Sequence, residues 1–99
     1  MSVHVHTSAD EVTISVEGIF DYRQHESFRA AYEQLPDSVS AYNVDLSRTD
    51  TLDSSALGML LLLRDHAASE TVPVRLLHCN DSVRETLQVA CFDTLFAVA

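Results

Sequence analysis

The chain opens with two stretches of strict alternation, Val3-His4-Val5-His6 and Val12-Thr13-Ile14-Ser15-Val16-Glu17, and a period of two predicts strands with one buried face. Ser8-Ala9-Asp10-Glu11 between them is a turn, so a hairpin starts the fold. Gly18-Ile19-Phe20-Asp21 is expected to close the second strand. The period then changes. Asp21 followed by Gln24 has the form of a capping box, and Phe28, Tyr32 and Leu35 fall on one face of the helix it would open, to be stopped by Pro36-Asp37. Ala41 to Leu46 returns to alternation, with Tyr42, Val44 and Leu46 on one side, and Ser47-Arg48-Thr49-Asp50 is expected to be a loop.

A second helix is expected from Ser54 to Ser69. Its apolar run, Ala56 to Leu63, wraps round the helix axis, which predicts a helix lying deep against the sheet with other elements flanking it. Val72 to Leu77 has the pattern of an interior parallel strand, apolar on both faces. Ser82 with Glu85 is a further capping box, Val83, Leu87 and Ala90 recur at helical spacing, and Leu95, Phe96 and Val98 make a last short strand. The order β-β-α-β-α-β-α-β predicts a single α/β domain over residues 1–99. Its expected form is a mixed, mostly parallel sheet of about five strands with an N-terminal hairpin, packed with three helices.

Composition narrows the possible roles. With 46% hydrophobic residues and only two glycines and two prolines, the chain is expected to fold. The net charge of −9 repels phosphates, which argues against nucleic acid and anionic membrane as partners and leaves a basic protein surface open. No stretch has the form of a signal peptide, and the longest apolar run is far short of the ~18 residues of a membrane span, so a cytoplasmic location is expected. Cys79 and Cys91, each alone in an apolar pattern, are expected to be buried packing thiols. Gly18 and Gly58 are too few for a phosphate-cradling loop, so no nucleotide cofactor is implied.

The candidate chemistry is at Asp53-Ser54-Ser55, directly before the apolar helix. A helix start needs one side-chain acceptor, and three capping-type residues in a row exceed that need. Both a plain cap and a functional hydroxyl are compatible with the residues. A phosphate on Ser54 would carry about −1.5 to −2 charges and sit at the positive end of the helix dipole, an effect of about 0.3–1 kcal/mol, so the fold would tolerate it. Across an interface, like charges cost several kcal/mol, and ~2.7 kcal/mol already changes affinity about a hundredfold. Such a group could dismiss a partner and leave the domain folded.

Other side chains are less suggestive. His4 and His6 share one side of a strand, but two imidazoles make an incomplete metal site. His66 suits the negative end of the second helix. A Ser-His-Asp set could be assembled on paper from Ser54, His66 or His78, and Asp53, yet no Gly-x-Ser-x-Gly elbow is present, so no enzyme is expected. Gly58 costs its helix about 1 kcal/mol relative to alanine, which suggests close approach by a neighbouring strand or a partner backbone.

Val44-Asp45-Leu46-Ser47, Leu52-Asp53-Ser54-Ser55-Ala56-Leu57-Gly58 and the upstream Gly18-Ile19-Phe20-Asp21 together resemble the STAS domain of bacterial anti-sigma factor antagonists, and the element order matches over essentially the whole chain. The resemblance implies that Ser54 is phosphorylated by an anti-sigma factor that is also a serine kinase of the ATPase type, and that a serine phosphatase restores it. It implies a partner surface of Asp21, Asp53, Ser54, Ser55, Ala56 and Leu57, with no catalytic residue, cofactor or metal. Ser55 competes with Ser54 as acceptor. Ala56 departs from the family, where glycine is frequent, and would reshape the patch met by the kinase. An alternative role for the same fold is an accessory subunit of the ATPase of an ABC-type lipid transporter, with no phosphorylation cycle.

Overall fold

The hairpin forms where the alternation places it: β1 (Val3–Ser8) and β2 (Glu11–Val16) pair antiparallel, with Ser8 opposite Glu11 across the turn. This computed structural model describes residues 3–33 and 39–99. After the hairpin come β3 (Gly18–Phe20), one turn of 3-10 helix (Tyr22–Gln24) and α1 (His25–Glu33). The expected end of that helix at Leu35, Pro36 and Asp37 lies outside the described residues. The chain continues through β4 (Ala41–Asp45), β5 (Thr49–Leu52), α2 (Ser54–Ser69), β6 (Val74–Leu77), α3 (Asp81–Val89) and β7 (Ala97–Val98).

The main sheet has the order β1-β2-β4-β6-β7, with β2, β4, β6 and β7 mutually parallel. Three successive crossovers move in one direction across it. Because such connections are right-handed, α1, α2 and α3 all land on the same face. There Val12, Ile14, Val16, Tyr42, Val44, Leu46 and Leu76 form one core with Phe28, Leu60, Leu63, Val83 and Leu87. The alternate positions, His4, His6, Thr13, Ser15, Asn43, Asp45 and Arg75, lie on the opposite face. On it Glu11 Oε1 accepts from Asn43 Nδ2 at 2.9 Å and from Arg75 Nη1 at 3.3 Å.

Several expectations need correction. Gly18–Phe20 does not extend β2; Gly18, at φ 80°, turns the chain off the main sheet. Thr49 and Asp50, expected in a loop, belong to β5, which pairs parallel with β3 in a separate two-stranded sheet. A buried hydrogen bond of 2.6 Å from Thr49 Oγ1 to the Val16 carbonyl fixes the branch point. β6 starts at Val74; Val74 and Leu76 face the helices, and the opposite side carries exposed Arg75 beside half-buried Leu77, so that side is only partly apolar. α3 is capped by Asn80, which accepts from the Val83 amide at 2.8 Å, and not by Ser82. Phe92–Thr94 forms a 3-10 turn, leaving Leu95 and Phe96 ahead of β7. Cys91 is exposed and Cys79 half-buried.

α2 also differs from its expectation. It buries Ala56, Met59, Leu60, Leu63 and Ala67, whereas Leu61 and Leu62 are exposed. Helical spacing puts Ser54, Gly58, Leu61, Leu62 and Asp65 along one outward face.

Candidate functional site

The small β3–β5 sheet builds the site. Phe20 lies opposite Leu52, so the next residues, Asp21 and Asp53, emerge side by side, and the Asp53 amide donates to the Phe20 carbonyl at 3.4 Å. Both aspartates have extended backbones and both cap a helical segment. In a parallel α/β unit every helix starts at the carboxyl end of its preceding strand, so these helix beginnings gather at one end of the domain. Asn80 ties the third of them in, its Nδ2 donating to the Thr49 carbonyl at 2.9 Å.

At the start of α2, Asp53 Oδ1 accepts from the Ala56 amide at 3.1 Å and from Ser55 Oγ at 2.6 Å. The Ser55 hydroxyl and that amide hold the Asp53 carboxyl below the usual carboxylate range, while the neighbouring charge of Asp21 opposes them. Asp21 is likewise lowered, first by the Arg23 guanidinium, whose Nε lies 3.0 Å and Nη2 3.0 Å from its carboxylate, and then by the Arg23 amide. The Asp21 amide donates to Gln24 Oε1 at 2.8 Å, which completes the capping box read from the sequence. Two ionised carboxylates therefore flank the first residue of α2.

Ser54 is that residue. It is exposed, and its hydroxyl makes no hydrogen bond among the described residues, whereas Ser55 is half-buried with its hydroxyl held by Asp53. Ala56 is fully buried, so its methyl points into the core and its amide alone serves the site. Leu57 is half-buried beside Ser82, Glu85, Thr86, Val89 and Ala90, in an open groove between α2 and α3. Ile19 on β3 and Tyr22 after Asp21 are large exposed side chains at this end, 52% and 68% accessible. Sequence reasoning missed both. Ile19 could have been found only by pairing β3 with β5.

The remaining candidates are not drawn in. His66 lies twelve residues along α2 from Ser54, about 18 Å at helical rise, and neither it nor His78 hydrogen-bonds to Ser54. His4 is exposed and its Nε2 lies 2.6 Å from Glu17, with Arg48 3.3 Å from the other oxygen of that carboxylate. Among the described residues no group of three or more His, Cys, Asp or Glu side chains is placed to hold a metal, and no helix is long and apolar enough to cross a membrane. Among the described residues a Cβ on Gly58 would meet nothing within 4 Å, so none of their strands makes the close approach expected there.

A two-layer α/β domain with three helices on one side of a five-stranded sheet is a fold that this chain shares with solved anti-sigma factor antagonists. The family model described as "Mlab, STAS domain" matches residues 3–97, and the chain belongs to this STAS domain family. A STAS-domain containing protein of Pseudomonas aeruginosa (strain UCBPP-PA14) is 45% identical over 101 residues, covering 100% of both chains. The anti-sigma factor antagonist SpoIIAA in its unphosphorylated form superposes with a TM-score of 0.82 at 22% identity, over 98% of this chain and 87% of that one. The phosphorylated form of SpoIIAA from Bacillus gives 0.70 at 18%, over 98% and 90%. An anti-sigma factor antagonist from Mycobacterium paratuberculosis gives 0.80 at 20%, over 97% and 82%. At these identities the solved structures establish a shared fold.

Proposed function

We propose that this domain is an anti-sigma factor antagonist worked as a phosphorylation-controlled switch: with Ser54 free it binds an anti-sigma factor, and with Ser54 phosphorylated it lets that partner go. The observation that carries the reading is the contrast between the two adjacent serines. Ser54 offers an exposed, unengaged hydroxyl, and Ser55 gives its own to Asp53. A kinase can reach the first without dismantling a helix cap.

A phosphate there gains from the α2 dipole by about 0.3–1 kcal/mol, which leaves the fold intact. Its two negative charges meet Asp21 and Asp53, and the site becomes more hostile to a partner that had matched a hydroxyl. In this reading the partner is a serine kinase of the ATPase type, a serine phosphatase reverses the step, and the domain works in the cytoplasm without catalysing a reaction. The partner contacts Asp21, Asp53, Ser54, Ser55 and Leu57 at the surface.

The test presents the purified domain to kinase-type anti-sigma factors with ATP, maps any phosphate by mass spectrometry, and compares Ser54→Ala with Ser54→Asp for binding. Phosphate on Ser54, tight binding by the alanine variant and weak binding by the aspartate variant are expected. Phosphate on Ser55 alone would transfer the role to that residue. Co-purification with an ATPase and a permease, with Ser54→Ala fully functional, would replace the switch by the transporter-subunit role.

A further inference from the structure

The outer edge of β1 is unpaired among the described residues, because β1 ends the sheet. The opposite edge, β7, is two residues long, and brevity is one way natural sheets blunt an edge. β1 has six residues, with no proline, no lysine and an unbroken register from Val3↔Val16 to Ser8↔Glu11.

Hairpin geometry decides which backbone groups that edge presents. A two-residue loop, Ala9-Asp10, makes Ser8 and Glu11 a hydrogen-bonded pair, and such pairs alternate along an antiparallel ladder. His6 and His4 therefore turn their N–H and C=O groups toward β2. Val3, Val5 and Thr7 turn theirs outward.

The side chains fit the same seam. Val3-His4-Val5-His6-Thr7 reads alike in both directions about Val5, given that valine and threonine have the same shape. Val5 itself is 45% exposed. Residues 3–9 carry no formal charge in a chain of net charge −9, so like-charge repulsion between two copies is small along this edge.

We propose that the chain pairs with a second copy of itself through β1, antiparallel about a two-fold axis at Val5. Val5 then faces its own counterpart and Val3 faces Thr7, and these pairs exchange the outward backbone hydrogen bonds. His4 faces His6 in the closer pairs between them. Self-complementary contact is what a two-fold interface requires, and two five-stranded sheets become one continuous sheet. Ser54 lies outside the seam, so the pairing stands independently of the proposed switch.

Sedimentation equilibrium under reducing conditions, from low micromolar to millimolar protein, tests it. The expected mass rises from 11.0 kDa toward twice that value across this range. Val5→Pro deletes an outward N–H and leaves the β1–β2 ladder whole, so it should weaken pairing at least tenfold with an unchanged circular dichroism spectrum. Val5→Lys, which keeps the N–H but sets two charges on the axis, should do the same and covers the case in which proline disturbs the strand. A chain that stays at 11.0 kDa at millimolar concentration, or a dimer indifferent to both variants, overturns the proposal.

Discussion

The two ends of α2 treat their polar side chains in opposite ways. At the carboxyl end, the His66 ring lies against Tyr32 and Tyr42, with centroids 5.0 and 6.1 Å away, and its Nε2 is 3.4 Å from Glu70. Glu70 in turn accepts the hydroxyl of buried Tyr42 at 3.3 Å, and Ser69 Oγ donates to the His66 carbonyl at 2.7 Å. At the amino end, Asp53 binds Ser55 and the Ala56 amide, and Ser54 is left facing water. One end closes its polar groups on the fold; the other leaves one open to solvent. An end of the first kind contributes to stability, and an end of the second kind is available for recognition.

The severest challenge to this contrast is a change that loosens the whole helix. Leu60 is fully buried in its middle, and Leu60→Ala should cost about 2–5 kcal/mol, read from denaturant unfolding. Amide exchange should show both ends loosening together. If the Tyr42 end kept its protection and the Ser54 end lost it, the helix would not be one cooperative unit. The next largest effect separates the ends. On the proposed switch, Ser54→Asp should weaken anti-sigma factor binding about a hundredfold, the equivalent of ~2.7 kcal/mol, and leave the melting temperature where it was. A matching change at the closed end, Tyr42→Phe, should lower stability without altering that affinity.

Acid and alkali should also find the ends separately. Burial, and then the charge of Glu70, pushes the Tyr42 phenol up from 10.0 to about 12, so the folded state favours its neutral form. That contribution is complete below the ordinary tyrosine range and is lost as pH rises through 10 toward 12. Asp53 is held below its ordinary value of 3.8, so its contribution is present above that value and is lost as pH falls past it. Melting temperature against pH should lose part of its alkaline decline in Tyr42→Phe and part of its acid decline in Asp53→Asn. If either variant flattened the opposite limb, the assignment of the two ends would be wrong.

What the sequence disclosed depended on range. The hairpin and the bounds of α2 at Ser54 and Ser69 rest on local periodicity and caps, and both match the structure. The Asp21–Gln24 box is also local and is present. The β3–β5 ladder pairs residues about thirty apart in three- and four-residue strands, too short to show any period, so Thr49 and Asp50 looked like loop. The outward face of α2 was hidden for another reason. A run such as Met59-Leu60-Leu61-Leu62-Leu63 has no polar residue to mark the side left uncovered, and only packing sends Leu60 inward and Leu62 out. Asn80 prevailed over Ser82 as a cap because its amide also reaches the carbonyls of β5, a partner that local sequence does not contain. The pairing of Asp21 with Asp53 followed from the resemblance and from the ladder, and from nothing in their spacing.

The smallest expected effect asks how far the available end extends along α2. Gly58 lies one turn beyond Ser54 on the same exposed face, and a methyl there would touch nothing among the described residues. Within a helix glycine costs about 1 kcal/mol against alanine, so Gly58→Ala should raise stability by about that amount, roughly 4–8 °C in a domain of this size. The same methyl would stand between α2 and any partner backbone that packs closely on the face shared by Ser54, Gly58 and Leu62. A variant that melts higher yet binds its anti-sigma factor more weakly would show that the recognition surface runs at least one turn past the serine. If binding were unchanged, recognition would be confined to the first turn and the Asp21 loop, and the exposed leucines beyond it would serve some other contact.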